Sequence, residues 1–204
     1  MNHLGLPDCR RTSLLSDRLL RSLMVLWLVV VIAGTASLYR YSLIAGSAAA
    51  AETHWPARIG LPKATGRDTL VMVVHPDCPC SRASMSELAA LAANCENELS
   101  IDILFAQPPG LDEKIESTEL WQSAMQIECA NLIIDKDGLL ARKLGATTSG
   151  NVFLYDTSGT LRFSGGITDS RGHAGNNAGR SAIEAIVRKQ APGVTSTPVF
   201  GCAL

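Results

Sequence analysis

The chain has 204 residues, with 18 Lys and Arg against 19 Asp and Glu and a formal net charge of −1. Beyond the first forty positions its basic residues are scattered, which excludes the dense cationic footprint of a nucleic-acid binder. The length suits one ordinary domain plus extra segments, since domains cluster near ~100 to 150 residues.

Much of the 47% apolar content lies in one stretch, Ser22 to Tyr39, which runs for 18 residues without a charge. That reaches the lower part of the range of roughly 17 to 25 residues needed to cross a bilayer. Arg10, Arg11, Arg18 and Arg21 precede it and the single Arg40 follows, so the positive-inside bias predicts a cytoplasmic tail over 1–21, a transmembrane signal anchor over 22–39 and export of the rest. A cleaved signal peptide is the competing reading. Its small residues, Ala48 to Ala51, lie well past the apolar core, farther than a cleavage site normally does. Residues 40–66 are rich in Ala, Gly, Ser and Pro and read as a tether.

From residue 67 to 190 the pattern is that of one α/β domain, followed by a tail over 191–204 that carries Cys202. Thr69 to His75 is a β-branched apolar run suited to a buried strand, and Ser81 to Asn94 carries Met85, Leu88, Leu91 and Ala92 at helical spacing. Leu99 to Phe105 predicts a second strand, Asp112 to Ile127 an amphipathic helix, and Asn131 to Ile134 a short strand leading through Asp135–Gly138 to a helical turn. Val152 to Tyr155 and Thr160 to Ser164 flank a Gly-containing loop and predict a hairpin; Ala178 to Lys189 is a last amphipathic helix before Pro192. Parallel strands followed by an antiparallel hairpin make an α/β sandwich with a mixed sheet.

Chemistry concentrates at Cys78-Pro79-Cys80, between the first strand and the first domain helix. A helix start offers unpaired N–H groups and the positive end of the dipole, both of which favour a thiolate, and a strand-to-helix junction with an adjacent Pro is expected to leave the sulfur of Cys78 open to solvent. Arg82 adds a positive charge one turn in. Of the six cysteines, Cys9 falls on the cytoplasmic side of the predicted anchor, and an odd five, Cys78, Cys80, Cys95, Cys129 and Cys202, remain beyond it. Cys95 and Cys129 sit among apolar neighbours and read as core or as a stabilising pair, whereas Cys202 lies in a tail expected to be mobile.

The succession VMVVHPDCPCSRASMSELAALA resembles the strand, active-site and first-helix block of the thioredoxin-like superfamily, and LGATTSGNVFLYDTSGTLRFSGG resembles its hairpin block. The anchor, the CPCS motif, the segment GGITDSRGHAGNNAG and the ending TPVFGCAL together resemble the membrane-anchored bacterial RedB-type group of that superfamily. The topology read from the charges, with this resemblance, gives the expectation of a single-pass protein of a bacterial inner membrane with its domain in the periplasm, exchanging thiols and disulfides with exported proteins and with no cofactor expected. Two departures stand out. The superfamily motif has two residues between its cysteines, so Cys78 aligns with the attacking position and Ser81 with the resolving one. Gly150 stands where the superfamily usually has a cis-proline facing the cysteines.

The leading expectation is a thiol-disulfide oxidoreductase in which Cys78 attacks, Cys80 or Cys202 resolves, Arg82 holds the thiolate and His173 carries protons. Its rival is a copper-delivery protein of respiratory-complex assembly, with Cys78 and Cys80 as Cu(I) ligands and His173, His75 or Cys202 completing the site. A thiol peroxidase relying on Cys78 alone lacks the Thr-x-x-Cys surroundings of that family.

Overall fold

A computed structural model of the chain describes residues 9–57, 59–95, 98–110 and 114–204, with side chains described from residue 17 onward. It contains two compact units, one ending at Tyr41 and one spanning Ser42–Leu204. The first is helix α1, Cys9–Ser42. Its portion Asp17–Ser42, 26 residues, is long and apolar enough to cross a membrane. At 1.5 Å per residue it measures roughly 39 Å, enough for a hydrocarbon layer of about 30 Å.

The second unit is built on a five-stranded sheet. In chain order its elements are β1 Asp68–Val74, α2 Ser81–Asn94, β2 Leu99–Gln107, α3 Glu119–Ala124, β3 Ala130–Lys136, α4 Leu139–Leu144, β4 Asn151–Tyr155, β5 Leu161–Gly165 and α5 Ala178–Val187. The strands lie in the order β3-β2-β1-β4-β5. β1, β2 and β3 are parallel, while β4 runs antiparallel to both β1 and β5. β1 is central and buried on both sides from Thr69 to Val74, as its unbroken run of Leu, Val and Met requires. This is the α/β sandwich with a mixed sheet expected from the sequence.

Alternation along the strands sends residues to two cores. Leu70, Met72 and Val74 meet Leu88 and Leu91 of α2, Leu120 of α3 and Ile183 of α5 on one face. Val71, Val73, Phe153 and Tyr155 face the other way and meet Ala141 and Leu144 of α4. α4 is only 6 residues long and cannot cover that face alone.

The remaining cover comes from the stretch expected as a tether. Ala51, Trp55, Ile59 and Leu61 pack into the second core, with Ile59 only 2% exposed. Trp55 stacks edge-on against Tyr155 at 5.2 Å, and the Tyr155 hydroxyl donates to the Glu52 carbonyl. The Leu161 N–H donates to the Thr53 carbonyl at 2.9 Å. Small residues gave this segment the composition of a linker, yet the short α4 leaves sheet surface that its few large apolar side chains fill.

The tail is likewise not free. Val199 and Phe200 are buried, Ser196 bridges to Ser164 of β5, and Ala203 bridges to Thr148 just before β4. The helix expected over 112–127 is shorter than its periodicity suggests. Thr118 takes an extended conformation and its hydroxyl accepts the Trp121 N–H, so a separate helix starts there after a single 3₁₀ turn at Ile115–Ser117. Asp112 and Glu113, at the start of that expectation, lie outside the described residues, as does the side chain of Cys9.

If residues 51–61 are core rather than tether, Ile59→Ala destabilises the domain by about 3 kcal/mol, the usual cost of emptying a buried aliphatic site. Urea unfolding monitored by Trp fluorescence measures it, and a free tether would give a change near zero.

Candidate active site

Cys78 lies in the turn between β1 and α2. Its N–H donates to the His75 carbonyl at 3.1 Å and its own carbonyl accepts from Ser81 at 3.1 Å. The helix proper begins at Ser81 with Cys80 as its N-cap, so the sulfur of Cys78 sits at the helix entrance where the sequence placed it. It is only 3% exposed, however, not open to solvent as expected. The end of the tail lies against it: the Cys202 N–H points at the Cys78 sulfur at 3.5 Å.

A second set of contacts reaches the sulfur from below. Ser81 and Ser149 are both fully buried and their Oγ atoms are 2.7 Å apart. Ser149 Oγ accepts the His75 N–H at 2.7 Å. Either hydroxyl can donate in that pair; with Ser149 donating, the Ser81 proton is left for the sulfur of Cys78.

Burial pushes the Cys78 thiol up. The hydrogen bonds outweigh it: the Ser81 hydroxyl, the Cys202 N–H and thiol and the Ser81 N–H together bring the pKa down to about 7. Cys202 moves the other way, to about 11, because of burial first and then the hydrogen bond and charge of Cys78 and the charge of Cys80. The sulfurs of Cys78, Cys80 and Cys202 all lie within 4.8 Å of one another. The three thiols form one cluster, and of Cys78 and Cys202 it is Cys78 that ionises first.

The other expected site residues are placed differently. Arg82 lines the same shallow cleft of ≈ 350 Å³ as Cys78 and Pro79. Its guanidinium is paired with Glu119 at 2.6 Å, on an exposed surface, and the thiolate is held by Ser81 and Cys202 instead. His173 is solvent-exposed, and its N–H donates to the Ser170 carbonyl; it is not part of the thiol cluster. His75 is half-buried under the turn, where its Nδ1 accepts the Asp77 N–H at 3.2 Å.

The segment 165–177 serves as scaffold. Glu87 of α2, 3% exposed, accepts from the Gly175 N–H, the Asn177 amide and Arg180. That fixes the loop from which Arg171 donates to the Gly201 and Ile44 carbonyls. Cys95 is buried and Cys129 half-buried against the first core; both are free thiols, as are Cys78, Cys80 and Cys202. Gly150 has φ +92 and donates its N–H to the Val73 carbonyl at 2.7 Å, a conformation and a hydrogen bond that proline cannot supply.

Sequence reasoning missed Ser149 and Gly201. Ser149 is 68 residues from its Ser81 partner, so no local pattern connects them. A Cβ on Gly201 would lie 1.9 Å from the Ser149 carbonyl oxygen, so the Gly before Cys202 was the available sign of a close approach.

No protein-family profile matches the chain, and no curated protein matches it in sequence. Among solved structures, it is similar to a hypothetical protein from Sinorhizobium meliloti 1021, with TM-score 0.55 and 21% identity over 79% of this chain and 94% of that one. An uncharacterized conserved protein from Geobacillus kaustophilus gives TM-score 0.57 and 16% identity over 79% and 91%. A secreted Mycobacterium tuberculosis disulfide oxidoreductase aligns at TM-score 0.45 and 13% identity over 61% and 83%. The first two likenesses concern the fold alone. With the strand order and the strand–turn–helix placement of the cysteines, the fold class is thioredoxin-like.

Because the reactive species is the thiolate, alkylation of Cys78 by iodoacetamide should rise through a midpoint near pH 7. Ser81→Ala removes a donor to the charged sulfur and should raise that midpoint by about one unit, roughly 1.4 kcal/mol. Peptide mass spectrometry across about pH 5 to 10 reads the midpoint at Cys78 separately from the other thiols.

Proposed function

We propose that the chain is a membrane-anchored thiol-disulfide oxidoreductase acting on exported proteins, with Cys78 as nucleophile and Cys202 as resolving thiol. The observation that carries this reading is the cluster of three sulfurs within 4.8 Å, of which Cys78 has its pKa lowered to about 7. The apolar helix Asp17–Ser42 supports the anchor, and the arginines before it support a periplasmic domain at a bacterial inner membrane.

In the first step the Cys78 thiolate attacks one sulfur of a client disulfide. A mixed disulfide forms on Cys78 and the other client sulfur leaves as a thiolate that takes a proton from water. The charge of Cys78 is consumed in that bond. With it go the hydrogen bond and the charge of Cys78 that held Cys202 near 11, so Cys202 is easier to ionise when it returns to the mixed disulfide. Cys202 then loses its proton to solvent and attacks Cys78 Sγ, forming Cys78–Cys202 and releasing the second client thiolate. The client disulfide is reduced and the two chain thiols are oxidised; run in reverse, the same steps oxidise a client.

Cys202 suits the resolving role better than Cys80. Its N–H and thiol already meet the Cys78 sulfur, whereas Cys78–Cys80 would close a tight ring across Pro79 with strained disulfide geometry. Ser81 occupies the resolving position of the superfamily motif and supplies a hydrogen bond instead of a thiol.

The test uses the full chain purified in detergent with a disulfide-bonded client. Cys78→Ser should abolish exchange, Cys202→Ser should accumulate the Cys78–client mixed disulfide, and Cys80→Ser should still turn over. Unchanged exchange by Cys78→Ser would remove the reading, and trapping by Cys80→Ser instead of Cys202→Ser would reassign the resolving thiol.

The same cluster supports a second reading, Cu(I) binding for delivery to a respiratory complex. Three soft thiols at this separation suit Cu(I), with Cys202, of the three candidates His75, His173 and Cys202, completing the site. Anaerobic titration with a chromophoric Cu(I) chelator as competitor should then show one equivalent bound, lost in Cys202→Ser, and an absence of stoichiometric binding removes this reading.

A further inference from the structure

A nucleophile that is 3% exposed has to be uncovered before it can meet a protein disulfide. The tail that brings Cys202 to the sulfur is held in two distinct ways. Residues 196–200 are anchored: Ser196 bridges to Ser164, the Thr197 hydroxyl donates to the Gly166 carbonyl at 2.7 Å, the Val199 carbonyl accepts the Gly46 N–H at 2.8 Å, and Val199 and Phe200 are buried. Gly166 makes this close approach possible, since a Cβ there would stand 2.6 Å from the Pro198 carbonyl oxygen.

Residues 201–204 are held by backbone contacts instead. Ser149 N–H donates to the Cys202 carbonyl at 2.8 Å, Leu204 N–H donates to the Thr147 carbonyl at 3.1 Å, and Arg171 donates to the Gly201 carbonyl. The Ala203 and Leu204 side chains are exposed, and Cys202 is half-buried. This segment runs antiparallel to 147–149, just before β4, and pairs with it through a single bridge between Thr148 and Ala203. It can lift without emptying either core.

We propose that residues 201–204 are a displaceable strap, an internal occupant of the strand edge beside Cys78, and that Cys78 meets a client only when the strap lifts. This rests on the oxidoreductase reading and adds its regulation. Lifting frees the Ser149 N–H and the Thr147 carbonyl, and an extended stretch of client polypeptide can satisfy both as the strap did. A small disulfide cannot, so opening the site to it goes uncompensated. The hinge follows from the two modes of attachment: the chain stays tied down at Phe200 and swings from Gly201.

The test is the alkylation rate of Cys78 in the reduced full chain in detergent, compared between variants on the high-pH plateau where the sulfur is fully ionised. There the ionised fraction no longer differs between variants, and the loss of hydrogen bonds enters only through the thiolate's own nucleophilicity, about threefold per pKa unit, so a larger rise reports access. Gly201→Val places side-chain atoms where the Ser149 carbonyl stands and forces the strap off. It should raise the plateau rate about tenfold or more, as opening of a local lid requires. A chain ending at Phe200 should give the same rise and decides the matter should the valine disturb the fold seen by circular dichroism. A plateau rate unchanged from wild type overturns the strap. Because alkylation needs neither a client nor Cys202, this result is independent of the exchange assay on Cys78→Ser, which judges the oxidoreductase reading itself.

Discussion

The site depends on the hydrogen bonds that converge on the sulfur of Cys78. A thiol placed in this turn and covered as it is would ordinarily be less acidic than in water, because burial penalises the charged form. Donors from Ser81 on one side and Cys202 on the other reverse the sign. Every other feature of the site serves to bring those donors in: β1 and α2 fix the turn, Ser149 orients Ser81, and the glycines at 165, 166 and 201 let the tail run against the sheet edge.

This arrangement also explains a chain whose second sheet face is thinly covered by helix. With α4 so short, the polypeptide before β1 has to be folded back over Tyr155 and Phe153. The segment after α5 returns at the other end of the sheet, where Gly46 donates to Val199 and Arg171 reaches both Ile44 and Gly201. The two segments outside the strand-and-helix core thus meet near the cysteines, and the sulfur of Cys78 is met by a part of the sequence that lacks regular structure.

The legible part of the sequence was the part governed by local periodicity. The run Thr69–His75 and the spacing of Met85, Leu88 and Leu91 fix β1 and α2 within a residue, and with them the position of Cys78 at a helix entrance. Gly and Asp punctuation located the β4–β5 hairpin. What was not legible depended on distant partners. Nothing within residues 40–66 tells that Trp55 will find Tyr155, and the polar, glycine-containing tail reads as mobile until Ser149 and Thr147 offer it backbone partners. Arg82 follows from charge and proximity in sequence, and His173 from the place of its segment after the last strand; in space Glu119 takes the first and solvent the second.

The pairing of Cys78 with Cys202 is the claim on which the chemistry turns. Equilibrating the full chain in a glutathione redox buffer, quenching in acid and mapping the disulfide by peptide mass spectrometry tests it directly. The account predicts one intramolecular bond, Cys78–Cys202. A bond from Cys78 to Cys95 or Cys129, or a Cys78–Cys80 bond with Cys202 left free, would contradict it.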